Sequence, residues 1–171
     1  MNPLGIAQMK IFQGLPPEGV AAIEKIAEEI SYCYDTELAF DGTESKYVYL
    51  LREGRTELVA PHPKTGKKVV IASKNPGETM GFSSLIEPYQ MSFTIRCLTD
   101  CKLYRIPKAR LLQELKRRPD LFEAVRHRIA QHVFPSVKKA LDTLQKDSTQ
   151  GGWYPEEGDM EISTPDEGEI L

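Results

Sequence analysis

The serines after a glycine-bearing turn are the first side chains that could do catalytic chemistry. Ser83 and Ser84 follow Gly81-Phe82 directly. The nucleophile elbow of serine hydrolases has the spacing G-x-S-x-G, which Gly81-Phe82-Ser83-Ser84 does not match. Hydroxyl side chains at such a position are typical of a helix cap. Because no other nucleophile-base-acid set is visible, we predict that the chain is not an enzyme.

The cysteines are the next candidates, as metal ligands or disulfide partners. Cys33, Cys97 and Cys101 are odd in number, form no C-x-x-C pair and have no histidine close by. A zinc site or a disulfide framework requires a different spacing. We therefore expect three reduced, packed thiols and no metal.

Charge is distributed unevenly along the 171 residues. Net charge is −3, but the residues after Lys146 carry eight acidic side chains and no lysine or arginine.

No apolar run approaches the ~20 residues of a membrane-spanning helix, and Met1–Lys10 lacks the features of a signal peptide. We predict a cytoplasmic protein with no membrane partner, made of a mildly basic domain at 1–146 and an acidic tail at 147–171.

Hydrophobic periodicity predicts a β-rich domain that begins with a helix. Residues 16–30 open with two prolines and carry apolar side chains at helical spacing as far as Ile30, which predicts a short helix. From Tyr32 onwards, short segments rich in β-branched and aromatic residues alternate with turn signals. That pattern predicts the strands of a sandwich or barrel.

Two helices are predicted after the strands. The first covers residues 108–118 and ends at Pro119; Asp120 begins a longer one at 120–146, in which Pro135 predicts a kink or break. The apolar stripe of the long helix either packs on its own domain or pairs with a second copy or a partner. It consists of Phe122, Val125, Ile129, Val133, Val137 and Leu141.

The acidic tail is too polar to fold alone, which predicts disorder. Four apolar side chains within it favour the other alternative, docking on a partner or on its own barrel. They are Trp153, Tyr154, Met160 and Ile162.

Four motifs fall in the order of one known family. They are Ile11-Phe12-Gln13-Gly14-Leu15, Val48–Leu58, Pro76–Gly81 and Thr94–Leu103. They resemble the first-helix entry, the glycine hairpin, the phosphate-binding cassette and the following strand pair of cyclic-nucleotide-binding domains, in particular Crp/Fnr-type sensor domains. The resemblance covers residues 10–145. It implies a double-stranded β-helix (jelly-roll) barrel of about eight strands, a short N-terminal helix and two C-terminal helices.

The resemblance also implies a ligand pocket, which here is degenerate. In the family a glycine turn leads to a short helix whose N–H groups face an anion, an acid binds the ribose, and an arginine pairs with the phosphate. In this sequence Phe82 stands at the acid position and Met91 at the arginine position. The pocket positions are Gly77, Glu78, Gly81, Phe82, Ser83, Met91, Ser92 and Phe93.

These departures predict that cyclic AMP and cyclic GMP do not bind at micromolar concentration. Losing the arginine and the acid weakens binding by about 100- to 10,000-fold. Phe93 replaces a small residue and is expected to fill space. Arg96 is the nearest substitute cation, but its position in the strand predicts that it faces outward, as a surface arginine.

Cofactors and nucleic acid known in this fold are not expected either. Iron–sulfur relatives need cysteines near the N-terminus, and residues 1–32 contain none. The histidines, expected to be solvated or packed and not haem ligands, are His62, His127 and His132. Segment 147–171 is not a helix-turn-helix module and its charge would repel DNA, so no direct nucleic-acid contact is predicted.

Two hypotheses from different functional classes follow. In the first, the chain is a regulatory or scaffold subunit that meets a protein partner, or a second copy of itself, through the long helix or the tail. In the second, it is a small-molecule sensor with altered specificity, in which the backbone donors of Gly77–Gly81 remain available and apolar side chains line the pocket.

Overall fold

The computed structural model describes residues 3–41, 46–81, 86–87, 92–132, 135, 138–139, 142 and 161–162. The strands are β1 (Glu28–Tyr32), β2 (Glu37–Asp41), β3 (Tyr47–Glu53), β4 (Thr56–Pro61), β5 (Lys68–Lys74), β6 (Thr79–Met80), β7 (Ile86–Glu87), β8 (Ser92–Cys97), β9 (Cys101–Pro107) and β10 (Glu161–Ile162). The helices are a short 3-10 turn (Ile6–Gln8), α1 (Pro17–Ile26), α2 (Lys108–Arg117) and α3 (Pro119–His132).

Two antiparallel four-stranded sheets form the body of the protein. Their strand orders are β1-β9-β3-β6 and β2-β8-β4-β5, and β7 pairs separately with β10. This confirms the predicted jelly-roll fold of eight strands with flanking helices. No hydrogen-bonded ladder joins the two large sheets in the described ranges, so the architecture is an open sandwich and not a closed barrel.

The first helix is shorter than its apolar pattern predicts. It ends at Ile26, and Glu28–Tyr32 forms strand β1. Ile30, predicted on the helix face, pairs instead with Leu103 of β9. The prediction was wrong at this point because pairing with β9 outweighs the local helical spacing.

Two hydrophobic clusters hold the domain together. The inter-sheet cluster fills the space between the sheets and includes Tyr49, Leu51, Ile71, Phe93 and Ile95. The helical cluster joins the N-terminal segment, α1, α2 and α3 to β3 and β9, and its buried members include Phe12, Ile23, Leu50, Leu115 and Val125.

The helical cluster corrects part of the partner-helix prediction. Val125 and Ile129 are each 1% exposed and pack on their own domain, and Phe122 is partly buried against the same cluster. Val125 and Ile129 are therefore unavailable to a second chain. The other predicted stripe residues, Val133, Val137 and Leu141, lie outside the described part of the chain.

The C-terminal region is described at few positions. Pro135, where a kink is predicted, is helical, but its immediate neighbours are outside the described residues. In the tail, Glu161 and Ile162 pair with Glu87 and Ile86, whereas Trp153, Tyr154 and Met160 are not described. Among the helices that are described, none has the length and apolar character needed to cross a membrane.

Candidate ligand-binding site

The turn that opens the predicted pocket lies between β5 and β6. Gly77 has φ +94°, a backbone conformation that side-chain-bearing residues rarely adopt. Its amide donates to the carbonyl of Leu51 at 2.9 Å, and its carbonyl accepts from the amide of Lys10 at 2.9 Å. The turn is thus fastened both to β3 and to the N-terminal segment.

Glu78 continues this network. Its amide donates to the carbonyl of Asn75 at 3.1 Å and its carbonyl accepts from the amide of Leu51 at 3.0 Å. Its carboxylate Oε1 accepts from the amide of Asn75 at 2.9 Å. The expectation that Gly77–Gly81 offers backbone donors to a ligand is therefore wrong for Gly77 and Glu78, because both amides already have carbonyl acceptors.

The residues that distinguish this pocket from the family pattern are only partly described. Gly81 has φ +90°, but Phe82, Ser83 and Met91 lie outside the described residues. Ser92 is described in its backbone alone, as the first residue of β8 opposite Asp41 of β2. Their roles stay predictions.

Strand β8 carries a further pocket residue that is described in full, Phe93. It is 5% exposed and belongs to the inter-sheet cluster. It is joined there by Ile95 and Cys97 at alternate positions of the same strand, as the two-residue period of a strand requires. This face of β8 is apolar.

Arg96 leaves the opposite face of β8. Its side chain is 42% exposed, and its Nε lies 3.4 Å from Asp35 Oδ1 and 3.8 Å from Glu57 Oε1. Glu37 and Glu57 are its cross-strand neighbours on either side. The prediction of an outward surface arginine is confirmed, and three acidic side chains surround its charge.

The polar groups near the inter-sheet cluster are kept neutral. Burial raises the pKa of Tyr49 well above its ordinary range, and neighbouring Tyr32 adds to the shift. Burial also raises the pKa of the Cys97 thiol to about 12, with Cys101 adding to it. Thr56 Oγ1 donates to Met80 Sδ at 3.2 Å. This interior suits an uncharged or aromatic group better than an anion.

The described histidines and cysteines make no metal centre. No group of three histidine, cysteine or acidic side chains in the described ranges could hold a metal ion. His62 is packed, and its Nδ1 accepts from the amides of Lys64 and Thr65. All three cysteines are unpaired thiols, with Cys33 exposed and the other two buried.

Sequence reasoning did not single out one notable residue, Lys74. It closes β5 just before the turn and is only 8% exposed. A lysine followed by Asn75-Pro76-Gly77 is typical of a solvated strand end, so no signal in the sequence pointed to its burial.

Solved structures with the same architecture come from several bacteria. The Thermus thermophilus catabolite activator protein is 24% identical with a TM-score of 0.62; the match covers 77% of this chain and 59% of that protein. The N-terminal domain of a Streptomyces coelicolor transcriptional regulator is 23% identical with a TM-score of 0.61, covering 86% and 98%. A cyclic nucleotide-binding domain from Methylobacillus flagellatus is 19% identical with a TM-score of 0.68, covering 88% and 90%.

These similarities agree in fold, and two of the three proteins are regulators by description. This chain spans less than two thirds of the catabolite activator protein. A search of curated protein sequences found no match. The sequence profile of the cyclic nucleotide-binding domain matches residues 29–118, more than half of the 171 residues, and the chain therefore belongs to the cyclic nucleotide-binding domain family.

Proposed function

We propose that this chain is a non-catalytic regulatory or scaffold subunit of a larger protein assembly, and that its domain does not hold cyclic AMP or cyclic GMP in the usual way. The observation that carries the proposal is the arrangement of β8. Phe93 occupies the inter-sheet interior, and Arg96, the cation of that strand, lies outside against Asp35 and Glu57.

The energetic argument concerns the phosphate charge. A cyclic phosphate that enters an apolar interior loses its hydration and needs a charged donor in return. Arg96 cannot supply it without leaving two carboxylates and turning through the sheet. The amides of Gly77 and Glu78 are committed to carbonyl oxygens. These features support weak or absent binding of the usual ligand.

The proposed partner is another protein. This fits a domain that lacks the acid and the arginine with which the family binds its nucleotide. The pairing of Glu161–Ile162 with Ile86–Glu87 indicates that β7 accepts an added strand. Strand addition is a common mode of peptide recognition. A partner strand could thus replace the tail at β7 or engage the tail itself, in the cytoplasm, where unpaired thiols are usual.

Isothermal titration calorimetry with both cyclic nucleotides tests the proposal. We expect no saturable micromolar binding by the natural sequence. The variant Phe82→Glu/Met91→Arg restores the family's acid and arginine and should gain affinity. The control Phe82→Glu/Thr94→Arg adds the same charges but places the arginine on β8 outside the pocket positions. Saturable micromolar binding of either nucleotide by the natural sequence would overturn the proposal.

A second candidate is a sensor for an uncharged or aromatic molecule, acting through a partner protein. The apolar inter-sheet cluster around Phe93 and Met80 favours it. A thermal-shift screen over aromatic acids, acyl compounds and nucleotides separates the two candidates, because a ligand specific for the folded state raises the melting temperature. A screen without any stabilising compound favours the scaffold.

The oligomeric alternative has its own measurement. Light scattering on the full chain reports its mass directly. Val125 and Ile129 already pack on their own domain, so a homodimer formed through the predicted long helix would have to use its other residues. A strict monomer at tens of micromolar would exclude the homodimer and leave a different protein as the partner.

A further inference from the structure

Lys74 is a buried cation beside the glycine turn. It is 8% exposed, and among the described residues it forms no ion pair with a carboxylate. Burial of an ammonium group is costly unless a charge or hydrogen bonds compensate it. The carboxylate of Glu78 compensates this cost in part, and a bound anion would compensate it further.

The Lys74 side chain lines a small cavity. The cavity has a volume of about 60 Å³ and is lined by Lys10, Ile11, Lys74, Glu78, Thr79 and His132. Three parts of the chain meet there: the N-terminal segment, the glycine turn and the end of α3. Pockets for drug-sized ligands measure roughly 300–1,000 Å³, so this one admits only a very small molecule or ion.

The charge around the cavity is mainly positive. Lys10 and Lys74 line it. Burial lowers the pKa of His132, and the nearby positive charges of Arg128 and Lys10 lower it further. Burial likewise lowers the pKa of Lys74, against the opposing attraction of Glu78. Among the described residues of the lining, Glu78 is the single carboxylate, and its Oε1 already accepts from the backbone amide of Asn75.

We propose that this cavity binds a small tetrahedral oxyanion of the phosphate type, with Lys10 and Lys74 as its charged donors. Phosphate oxygens accept from ammonium groups through short, charge-assisted hydrogen bonds. A bound oxyanion would compensate the buried charge of Lys74. It would also tie the N-terminal segment and α3 to the glycine turn.

A second groove shows why cations alone do not make such a site. It has a volume of about 460 Å³ and lies beside β1, with Arg52 and Lys102 in its lining. There Arg52 pairs with Glu29 at 3.1 Å and donates to the carbonyl of Leu4 at 2.8 Å, and Lys102 lies 3.6 Å from Glu53. The charges of that groove are satisfied by the protein itself.

Phosphate titration of the full chain, followed by NMR of the histidine rings and by calorimetry, tests the proposal. We expect saturable binding and a rise in the pKa of His132, because a bound anion favours the protonated ring. Lys74→Met should weaken phosphate binding by about 10- to 100-fold. The Lys74→Met protein is expected to fold, because an apolar side chain is tolerated at a buried position. Lys102→Met, a lysine from the other groove, is the matched control and should bind as the natural protein does.

Three results would overturn the proposal. Sodium chloride at equal ionic strength could raise the pKa of His132 as much as phosphate does, which would show that the rise comes from general screening of charges. Lys74→Met could bind phosphate unchanged. Phosphate could bind only after the acidic residues of 147–171 are replaced by their amides, which would assign the cavity to a carboxylate of the tail.

Discussion

Asn75 and Glu78 exchange two hydrogen bonds across the turn between β5 and β6. The backbone amide of Asn75 donates to Glu78 Oε1 at 2.9 Å, and the backbone amide of Glu78 donates to the backbone carbonyl of Asn75 at 3.1 Å. The carboxylate therefore closes the turn and does not project into the inter-sheet interior. In this protein Glu78 is a structural residue of the turn, which lies directly beside the cavity at Lys74.

Removing the Glu78 carboxylate should loosen this turn. Glu78→Ala loses an exposed, charge-assisted hydrogen bond, and we expect the free energy of unfolding to fall by about 1 kcal/mol. Glu78→Gln keeps an acceptor and should lose less. Urea denaturation measures both. Glu24→Ala, at an exposed position of α1, is the control, and an equal loss there would contradict the structural role of Glu78.

Truncation of Phe93 should create a cavity between the sheets. Because Phe93 is 5% exposed in the inter-sheet cluster, we expect Phe93→Ala to cost about 3–5 kcal/mol in the free energy of unfolding. Val70→Ala serves as comparison: Val70 is 50% exposed and should change stability by less than about 0.5 kcal/mol. Similar denaturation midpoints for the two variants would show that Phe93 is not part of a packed interior.

Much of the fold could be predicted because the local signals agree with the tertiary structure. The turn at Glu53-Gly54 is one case: Gly54 has φ +96°, and a Cβ there would lie 2.5 Å from the carbonyl oxygen of Asp100. A glycine is required at that point, between β3 and β4, and it lies in the glycine hairpin motif Val48–Leu58 identified from the sequence. Arg96 was also placed correctly, since alternation along β8 determines its face.

Other features depended on long-range contacts that no local pattern carries. The helix predicted to reach Ile30 ends at Ile26 because β1 pairs with β9. Pro119 was expected only to stop α2, but it also begins α3, where a proline suits the first turn. Burial of Lys74 arises where the N-terminal segment, the glycine turn and the end of α3 meet. These segments are distant in sequence, so the cavity could not be predicted.

The three cysteines should differ sharply in reactivity. Cys33 is exposed, whereas Cys97 and Cys101 are buried, and thiolates are the reactive form. Burial raises the pKa of Cys97 from 9.0 to about 12. Labelling of the folded protein at neutral pH should therefore consume one thiol, and denaturant should expose the other two. If the labelling of the folded protein is lost in Cys33→Ser, the reactive thiol is Cys33. Labelling of folded Cys33→Ser at the natural rate would contradict this assignment.

The same shift predicts how stability depends on alkaline pH. Because the folded pKa of Cys97 lies above its unfolded value, folding favours the protonated thiol. Its contribution is complete below about pH 9 and is lost progressively as pH rises towards about 12. Urea midpoints of the natural protein and Cys97→Ala should converge over this range. Parallel midpoints at all pH values would argue against a buried thiol.

The ion pair at the edge of β1 should be measurably stronger than a looser surface pair. Arg105 Nε lies 2.6 Å from Glu28 Oε2, and its guanidinium stacks 4.8 Å from the Tyr47 ring centroid. A double-mutant cycle on Arg105 and Glu28 should give a coupling of about 0.5–1 kcal/mol that decreases with salt. The comparison is Lys68–Glu37, at 3.9 Å, with coupling expected near zero. Equal couplings in the two cycles would contradict this ranking.

Tail pairing at β7 should be visible in hydrogen exchange. Glu161 and Ile162 face Glu87 and Ile86 in an antiparallel register, so the tail contributes hydrogen bonds to a two-residue strand. Ile162→Pro disturbs that pairing, since proline has no amide and fits poorly in a ladder. Exchange at residues 86–87 should accelerate by about five-fold for each hydrogen bond of ~1 kcal/mol that is lost. Glu167→Pro alters the same tail beyond the paired residues and should leave exchange unchanged. If both variants exchange like the natural protein, the tail does not stay on β7 in solution, and β7 is open to a strand from a partner.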